Sequence, residues 1–200
     1  MFPTMHEILA PAEQGEARII HYDVTSFDAA MATMRGIRTY SGRACVLKVN
    51  GRTMMSDTNH ERATNCEVVR QARGDMLIGG LGLGMILHPI MAKPEVRHVT
   101  VIEQSQDVID LVSPTLPRRD DITIIVADLM EWKPPRGMTW DVIYFDIWPD
   151  ICIDNLGEIA TLHRRFGRRK RPGGWMDSWC RSRLLARRRR ERRQEACYRW

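Results

Sequence analysis

Met76-Leu77-Ile78-Gly79-Gly80-Leu81-Gly82-Leu83-Gly84-Met85, followed by Val99-Thr100-Val101-Ile102-Glu103-Gln104, decides how this chain folds. The first three residues are an apolar run of the length of a buried parallel strand, and glycines then alternate through a tight strand-to-helix turn. Glycine tolerates positive φ there, and its missing Cβ lets a ligand lie against the backbone. The amides that follow open a helix and face negatively polarised groups. A second apolar strand, His98 to Ile102, ends in Glu103, at the carboxyl edge of the sheet, where open α/β folds bind ligands. A carboxylate at that place can accept both hydroxyls of a ribose. Glycine loop and strand-terminal acid, about twenty residues apart, point together to a nucleoside cofactor. The spacing is not Gly-x-Gly-x-x-Gly, which argues against nicotinamide.

Outward from this stretch, strands and helices alternate through the carboxyl two-thirds. Ile122 to Val126 reads as a third buried strand ending at Ala127-Asp128, and Trp140 to Phe145 as a fourth ending at Asp146. A fifth is expected from Trp175 to Cys180, after a Pro172-Gly173-Gly174 turn. The intervening helices are placed at Met85 to Ala92, bent by Pro89; from Ser105 or Gln106 to Pro114; and from Asn155 to Arg169, with Asp154 as its cap. Alternation of this kind implies a doubly wound, mainly parallel Rossmann-like sheet of about five core strands. Parallel strands place their carboxyl ends on one edge, so Glu103, Asp128, Asp146 and the glycine loop should converge on one cleft. Any one of these acids alone reads as a helix cap.

Upstream, Ala44 to Val49 and Arg52 to Met55 flank Asn50-Gly51, the signature of a type I′ hairpin. A helix through Glu61 to Ala72 follows, with Ala63, Cys66 and Val69 near one face and Gly74 closing it. Residues 1 to 43 carry the breakers Pro3, Pro11, Gly15 and Gly36, and an irregular arm with one helix near Ser26 to Met34 is expected. The chain thus divides into that arm, a hairpin and leading helix over 44 to 74, a cofactor-binding domain over 75 to 180, and an arginine-rich helix over 181 to 200.

Two hundred residues with 44% hydrophobic content suffice for one compact domain. No window has the roughly twenty apolar residues of a membrane span, and the first thirty lack the order of a signal peptide, so a cytoplasmic protein is expected. The five cysteines are scattered, with no Cys-x-x-Cys pair and no histidines at zinc spacing, so no metal is expected. Cys152 follows the fourth strand but reads as a small apolar filler. The net charge of +5 hides an asymmetry: residues 1 to 163 sum to −7 and residues 164 to 200 to +12.

On these motifs the chain resembles the class I S-adenosylmethionine-dependent methyltransferases over roughly Val46 to Cys180. The resemblance implies that Gly80, Leu81, Gly82 and Gly84 lie under the amino-acid part of S-adenosylmethionine. Glu103, with Gln104 beside it, would hold the ribose hydroxyls; Asp128 and Leu129 would meet the adenine; and Asp146-Ile147-Trp148-Pro149 would lie beside the reacting methyl. The layout is most similar to the spermidine-synthase-like branch, which has an amino-terminal hairpin and an Ile-Gly-Gly loop, here Ile78-Gly79-Gly80. It departs in two segments: Thr64-Asn65-Cys66-Glu67 stands for a Tyr-His-Glu run, and Asp146-Ile147-Trp148-Pro149-Asp150 for Asp-Ser/Thr-x-Asp-Pro. The antiparallel strand pair that usually ends such sheets has no counterpart before Trp200, so a trimmed sheet or one completed in a homodimer is expected.

A sulfonium methyl is already activated, so catalysis needs alignment and exclusion of water. Asp146 and Asp150 are the candidates to take a proton from an amine or hydroxyl acceptor. Trp148 could stack on a planar group or be a core aromatic. The acceptor stays open between a small molecule and a nucleic acid. Arg187 to Arg190, Arg192 and Arg193 could contact RNA phosphates or form a solvated face. Three readings stand: methyltransferase, aminopropyltransferase, and a noncatalytic RNA-binding module that retains the fold.

Overall fold

The computed structural model describes residues 2–35, 41–117 and 120–197. Two sheets organise it. The larger is parallel throughout, in the order β7-β6-β5-β8-β9, where β5 is Gly74–Gly79, β6 Val96–Glu103, β7 Ile122–Val126, β8 Trp140–Phe145 and β9 Lys170–Ser178. Strand β5 is central, with Ile78 opposite Val101 on one side and Tyr144 on the other. The chain leaves β5 for β6 and later returns to β5's other flank as β8. The glycine loop at the end of β5 therefore sits where the winding reverses, and neighbouring connections diverge there to leave a crevice.

Side chains alternate across this sheet and build two cores. Met76, Ile78, Val99, Val101, Val142 and Tyr144 face one side, together with Val68 of α3 (Asn59–Gln71), Ile90 of α4 (Leu87–Met91) and Val108 and Val112 of α5 (Gln106–Val112). Leu77, Ile102, Ile143 and Phe145 face the other, against Leu156, Ile159, Leu162 and Phe166 of α6 (Asn155–Gly167) and Leu184 of α7 (Arg181–Cys197). Both faces are covered, as the unbroken apolar runs require. The doubly wound Rossmann-like reading holds.

The smaller sheet is an antiparallel meander of β1 (Ala12–Gln14), β2 (Ala17–Val24), β3 (Gly42–Val49) and β4 (Arg52–Ser56). Its β3-β4 turn has Asn50 at φ 51° and Gly51 at φ 73°, the two positive values of a type I′ hairpin. Asp57 ties this sheet to its surroundings: the buried carboxylate accepts from Met5 N (2.9 Å), Cys45 N (2.7 Å) and Arg62 Nη2 (3.2 Å).

Several expectations are corrected. The described residues before Gly42 are not an irregular arm. A two-residue turn at Gly15, φ 51°, pairs β1 with β2, and β2 pairs with β3 along its whole length. Gly15 is a hairpin residue rather than a breaker. The helix α2 at Ser26–Met34 is present, with Thr25 rather than Ser26 closing a capping box with Asp28. Strand β7 is an edge, so it is half-buried and not buried; Val126 is 52% exposed. Asp154 makes no cap hydrogen bond to α6, which ends at Gly167. Pro172-Gly173-Gly174 is not a turn before the last strand but a bulge inside β9, which pairs Trp140 with Lys170 and then Val142 with Trp175. Gly74 opens β5 rather than closing α3. Residues 198 to 200, the end of the expected arginine-rich helix, lie outside the described residues.

The inward face of α3 is also not the one expected. Asn65 and Val68 are its buried residues and Cys66 is exposed. Glu61, Asn65, Val68 and Ala72 form one helical stripe toward the sheet, led by two polar side chains.

Candidate functional site

At the carboxyl edge of the parallel sheet the strand ends, the glycine loop and the β3-β4 hairpin enclose a cavity of about 310 Å³, the size of a small-ligand site. The loop is locked between its neighbours: Gly80 N donates to Ile102 O (2.8 Å) and Asp146 N to Gly79 O (2.8 Å). Gly80 has φ 92°, and a Cβ there would overlap the Asp146 carbonyl, so only glycine lets β5 turn so close to β8. At Gly82, φ 52°, a Cβ would meet the Met55 sulfur. Both glycines and Leu81 line the cavity; Gly84 does not, and its space is taken by Leu116 and Val112.

Glu103 closes β6 with both oxygens engaged. Oε2 accepts from Leu81 N (2.8 Å) and Oε1 from Ser105 N (2.9 Å). A carboxylate has about four lone-pair directions, so each oxygen can accept one more donor. Gln104 and Ser105 line the wall beside it. Asp128 follows β7 and opens a turn: Oδ1 accepts from Met130 N (2.7 Å), and its carbonyl takes Trp132 N (2.7 Å). Leu129 is buried, and Arg165 holds this turn from α6 by donating to the Leu129 (3.3 Å) and Trp132 (2.7 Å) carbonyls. Trp148 is buried, donates from Nε1 to Glu158 Oε2 (2.7 Å), and presents its ring to both the core and the cavity.

The opposite wall carries two carboxyls from different elements. Asp146 ends β8, and Glu61 projects from the first turn of α3. Between them lies the fully buried Asn65, whose Oδ1 accepts from Tyr144 Oη (2.9 Å) and whose Nδ2 donates to Glu61 O (3.2 Å). The Asn65 side chain also acts on Asp146, favouring its charged form. Burial pushes the Asp146 carboxyl up to about 7, with Asn65 acting in the opposite sense. Burial pushes Glu61 up to about 8, helped by the neighbouring Asp146.

Glu61, Glu103, Asp128, Asp146 and Glu158 line the cavity, and among the described residues no Lys, Arg or His does. None of these five makes an ion pair among the described residues. Asp150, a candidate proton acceptor on sequence, lies outside the cavity. Its carboxylate is exposed and pairs with Arg52 of β4.

The structure thus brings together Gly80, Leu81, Gly82, Glu103, Gln104, Asp128, Leu129, Asp146 and Trp148, and leaves out Gly84 and Asp150. It adds Glu61, Met54, Met55 and Trp179. Glu61 sits in a polar stretch that signals only a helix start. Met54 and Met55 both reach the cavity because a bulge between Leu47 and Lys48 leaves Met54 unpaired and breaks the alternation. Nothing in their sequence signals that.

No protein-family profile and no curated protein matches the chain. Solved structures do. The spermidine synthase from Thermotoga maritima superposes with a TM-score of 0.54 at 14% identity, over 85% of this chain and 55% of that one. N-methyltransferase NodS from Bradyrhizobium japonicum WM9, in complex with S-adenosyl-L-homocysteine, gives 0.49 at 16%, over 61% and 62%. An S-adenosylmethionine-dependent methyltransferase from Mesorhizobium loti gives 0.45 at 18%, over 57% and 52%. This chain spans about half to two thirds of the length of these proteins. The first superposition establishes a shared fold over most of this chain.

Proposed function

We propose that the chain binds S-adenosylmethionine in this cavity and transfers its methyl group to an acceptor. The observation that carries the reading is the convergence of glycine loop, Glu103, Asp128-Leu129 and Asp146-Trp148 on one cavity at the point where the sheet's winding reverses. The donor set fits the cofactor. Gly82 leaves room that a side chain would fill, the open lone pairs of Glu103 suit a pair of hydroxyls, and the second oxygen of Asp128 suits an amino group. Leu129 and Ile102 offer apolar faces to a base.

The cofactor supplies an activated methyl on a sulfonium, with a leaving thioether. The protein's part is to align and to exclude water. Trp148, held by Glu158, and Met54 and Met55 from the hairpin wall the cavity from solvent. Asp146 stands where a proton can be taken from an acceptor.

A second reading, aminopropyl transfer from the decarboxylated cofactor, is favoured by one feature. The amides of Gly80, Leu81, Leu83 and Gly84 all have partners, and among the described residues no cation lines the cavity, so in this loop a cofactor carboxylate is met by the Gly82 amide. Calorimetric titration with S-adenosylmethionine, S-adenosylhomocysteine and decarboxylated S-adenosylmethionine separates the two. Micromolar binding of the first two supports methyl transfer; preference for the third supports aminopropyl transfer; binding of none rejects both. An RNA contact through the exposed arginines of α7 is a separate proposal, supported by their charge alone.

A further inference from the structure

We infer that Glu61 and Asp146 act as one proton-accepting pair, and that the acceptor they serve is an amine with an apolar body, entering as its ammonium. This rests on the cavity being the transfer site. The first support is placement. Glu61 heads the stripe that buries Asn65, Val68 and Ala72, so the packing of α3 on the sheet fixes it toward the cavity. Asn65 holds the two carboxyls in a common frame: the Tyr144 hydroxyl, bonded to Oδ1, leaves Nδ2 to face Asp146 and the Glu61 carbonyl. The Glu61 carboxylate itself has no partner among the described residues.

The second support is charge. Five carboxyls line the cavity and, among the described residues, no cation does, so this wall favours a ligand that brings positive charge. An anionic or phosphorylated acceptor is disfavoured by the same wall. Trp148, Trp179, Met54 and Ile147 complete the lining, and indole faces attract an ammonium while covering an apolar body.

The chemistry balances without another reactant. An N–H bond of the ammonium breaks, its electron pair stays on nitrogen, and the proton passes to a carboxylate oxygen of the pair. The freed lone pair is what a nucleophile at the sulfonium methyl needs. The raised values of about 8 for Glu61 and about 7 for Asp146 suit this task, because two adjacent carboxyls hold one proton between them over that range. Around them stand Tyr144 on β8, Asp177 on β9, Cys180 after it, Arg183 on α7 and His60 on α3. Burial holds the Tyr144 hydroxyl and the Cys180 thiol protonated, so neither competes for the proton.

The test is calorimetric titration of the full chain with 2-phenylethylamine and with 2-phenylethanol, its uncharged counterpart. The parent should prefer the amine at least tenfold, with affinity rising as pH passes through about 7 to about 8, where the pair loses its protons. Glu61→Gln and Asp146→Asn should each lose that preference, and Glu61→Gln should keep the parent's affinity for S-adenosylhomocysteine. Equal binding of amine and alcohol, no binding of the amine, or a preference unchanged in both variants overturns the inference. Amine binding without S-adenosylhomocysteine binding overturns the cofactor reading instead.

Discussion

The two edges of the parallel sheet carry acids in similar number and treat them in opposite ways. At the amino edge, Asp75 of β5 and Asp141 of β8 are each clasped by Arg97 of β6 and Arg171 of β9, at 2.6 to 3.1 Å. Asp141 also accepts from Asp75 N (2.8 Å). These arginines hold the Asp75 carboxyl below its ordinary range. At the carboxyl edge, Glu103, Asp128 and Asp146 follow β6, β7 and β8 with no ion pair among the described residues, and burial pushes the Asp146 carboxyl the other way. Charges that serve only the fold are paired by the fold. Charges left unpaired around a cavity cost stability and are balanced when a ligand binds.

Gly82→Arg should break the carboxyl edge most completely. The new side chain fills the cavity, while the tip of Met55 can move aside, so the fold survives. S-adenosylhomocysteine affinity should fall by more than about 100-fold, or about 2.7 kcal/mol, in calorimetry. Asp141→Ala makes the converse cut. Two arginines and one amide lose their acceptor, and the expected loss is about 2 kcal/mol, or about 4–8 °C in Tm, with ligand affinity unchanged. Equal damage to stability and binding from either variant would erase the contrast between the edges.

Glu103→Ala should weaken the cofactor about tenfold, about 1.4 kcal/mol, because the ribose loses its acceptor and the Leu81 amide its anchor. Asp146→Asn should stabilise the protein, the opposite sign to Asp141→Ala. The Asp146 carboxyl is raised in the folded state, so the unfolded chain releases its proton first and folding is penalised increasingly as pH rises from the unfolded value toward about 7. Removing the carboxyl should raise Tm by about 2–4 °C at pH 8, and by less at pH 5, in thermal melts at both. The smallest effect on the fold is expected on α7. Replacing Arg187 to Arg190, Arg192 and Arg193 by Gln should leave the stability within about 0.5 kcal/mol, since among the described residues only Arg187 of the six shows an ion pair, to Glu191. Affinity for an RNA oligonucleotide, and its dependence on salt, should fall; no change would mark the helix as a solvated face.

How far the sequence carries can be followed residue by residue. Val99-Thr100-Val101-Ile102 must be buried on both faces, because no polar alternation interrupts it, and the glycine spacing marks the turn that precedes it. Asp150 reads in the sequence as a proton acceptor in the acidic segment after the fourth strand. The loop instead turns it outward to Arg52, a direction that one sequence position cannot encode. Glu61 went unremarked because a carboxylate near a helix start is ordinary. Asn65 gives no such signal, because apolar periodicity marks a buried helix face and the buried face of α3 is led by polar groups.

The sequence by itself determined the alternation of strands and helices through the carboxyl two-thirds, the glycine turn at the end of β5 and the acids at the strand ends. Each of these rests on local rules: backbone geometry for glycine, burial for apolar runs, and the shared direction of parallel strands. Only the tertiary structure decided which acids stay unpaired. Whether a carboxylate meets an arginine, a buried amide or an empty cavity depends on residues tens of positions away, as with Asp141 and Arg97 or Glu61 and Asp146. Electrostatic surroundings are a property of three-dimensional neighbours, and here they separate the acids that hold the sheet from the acids placed to meet a ligand.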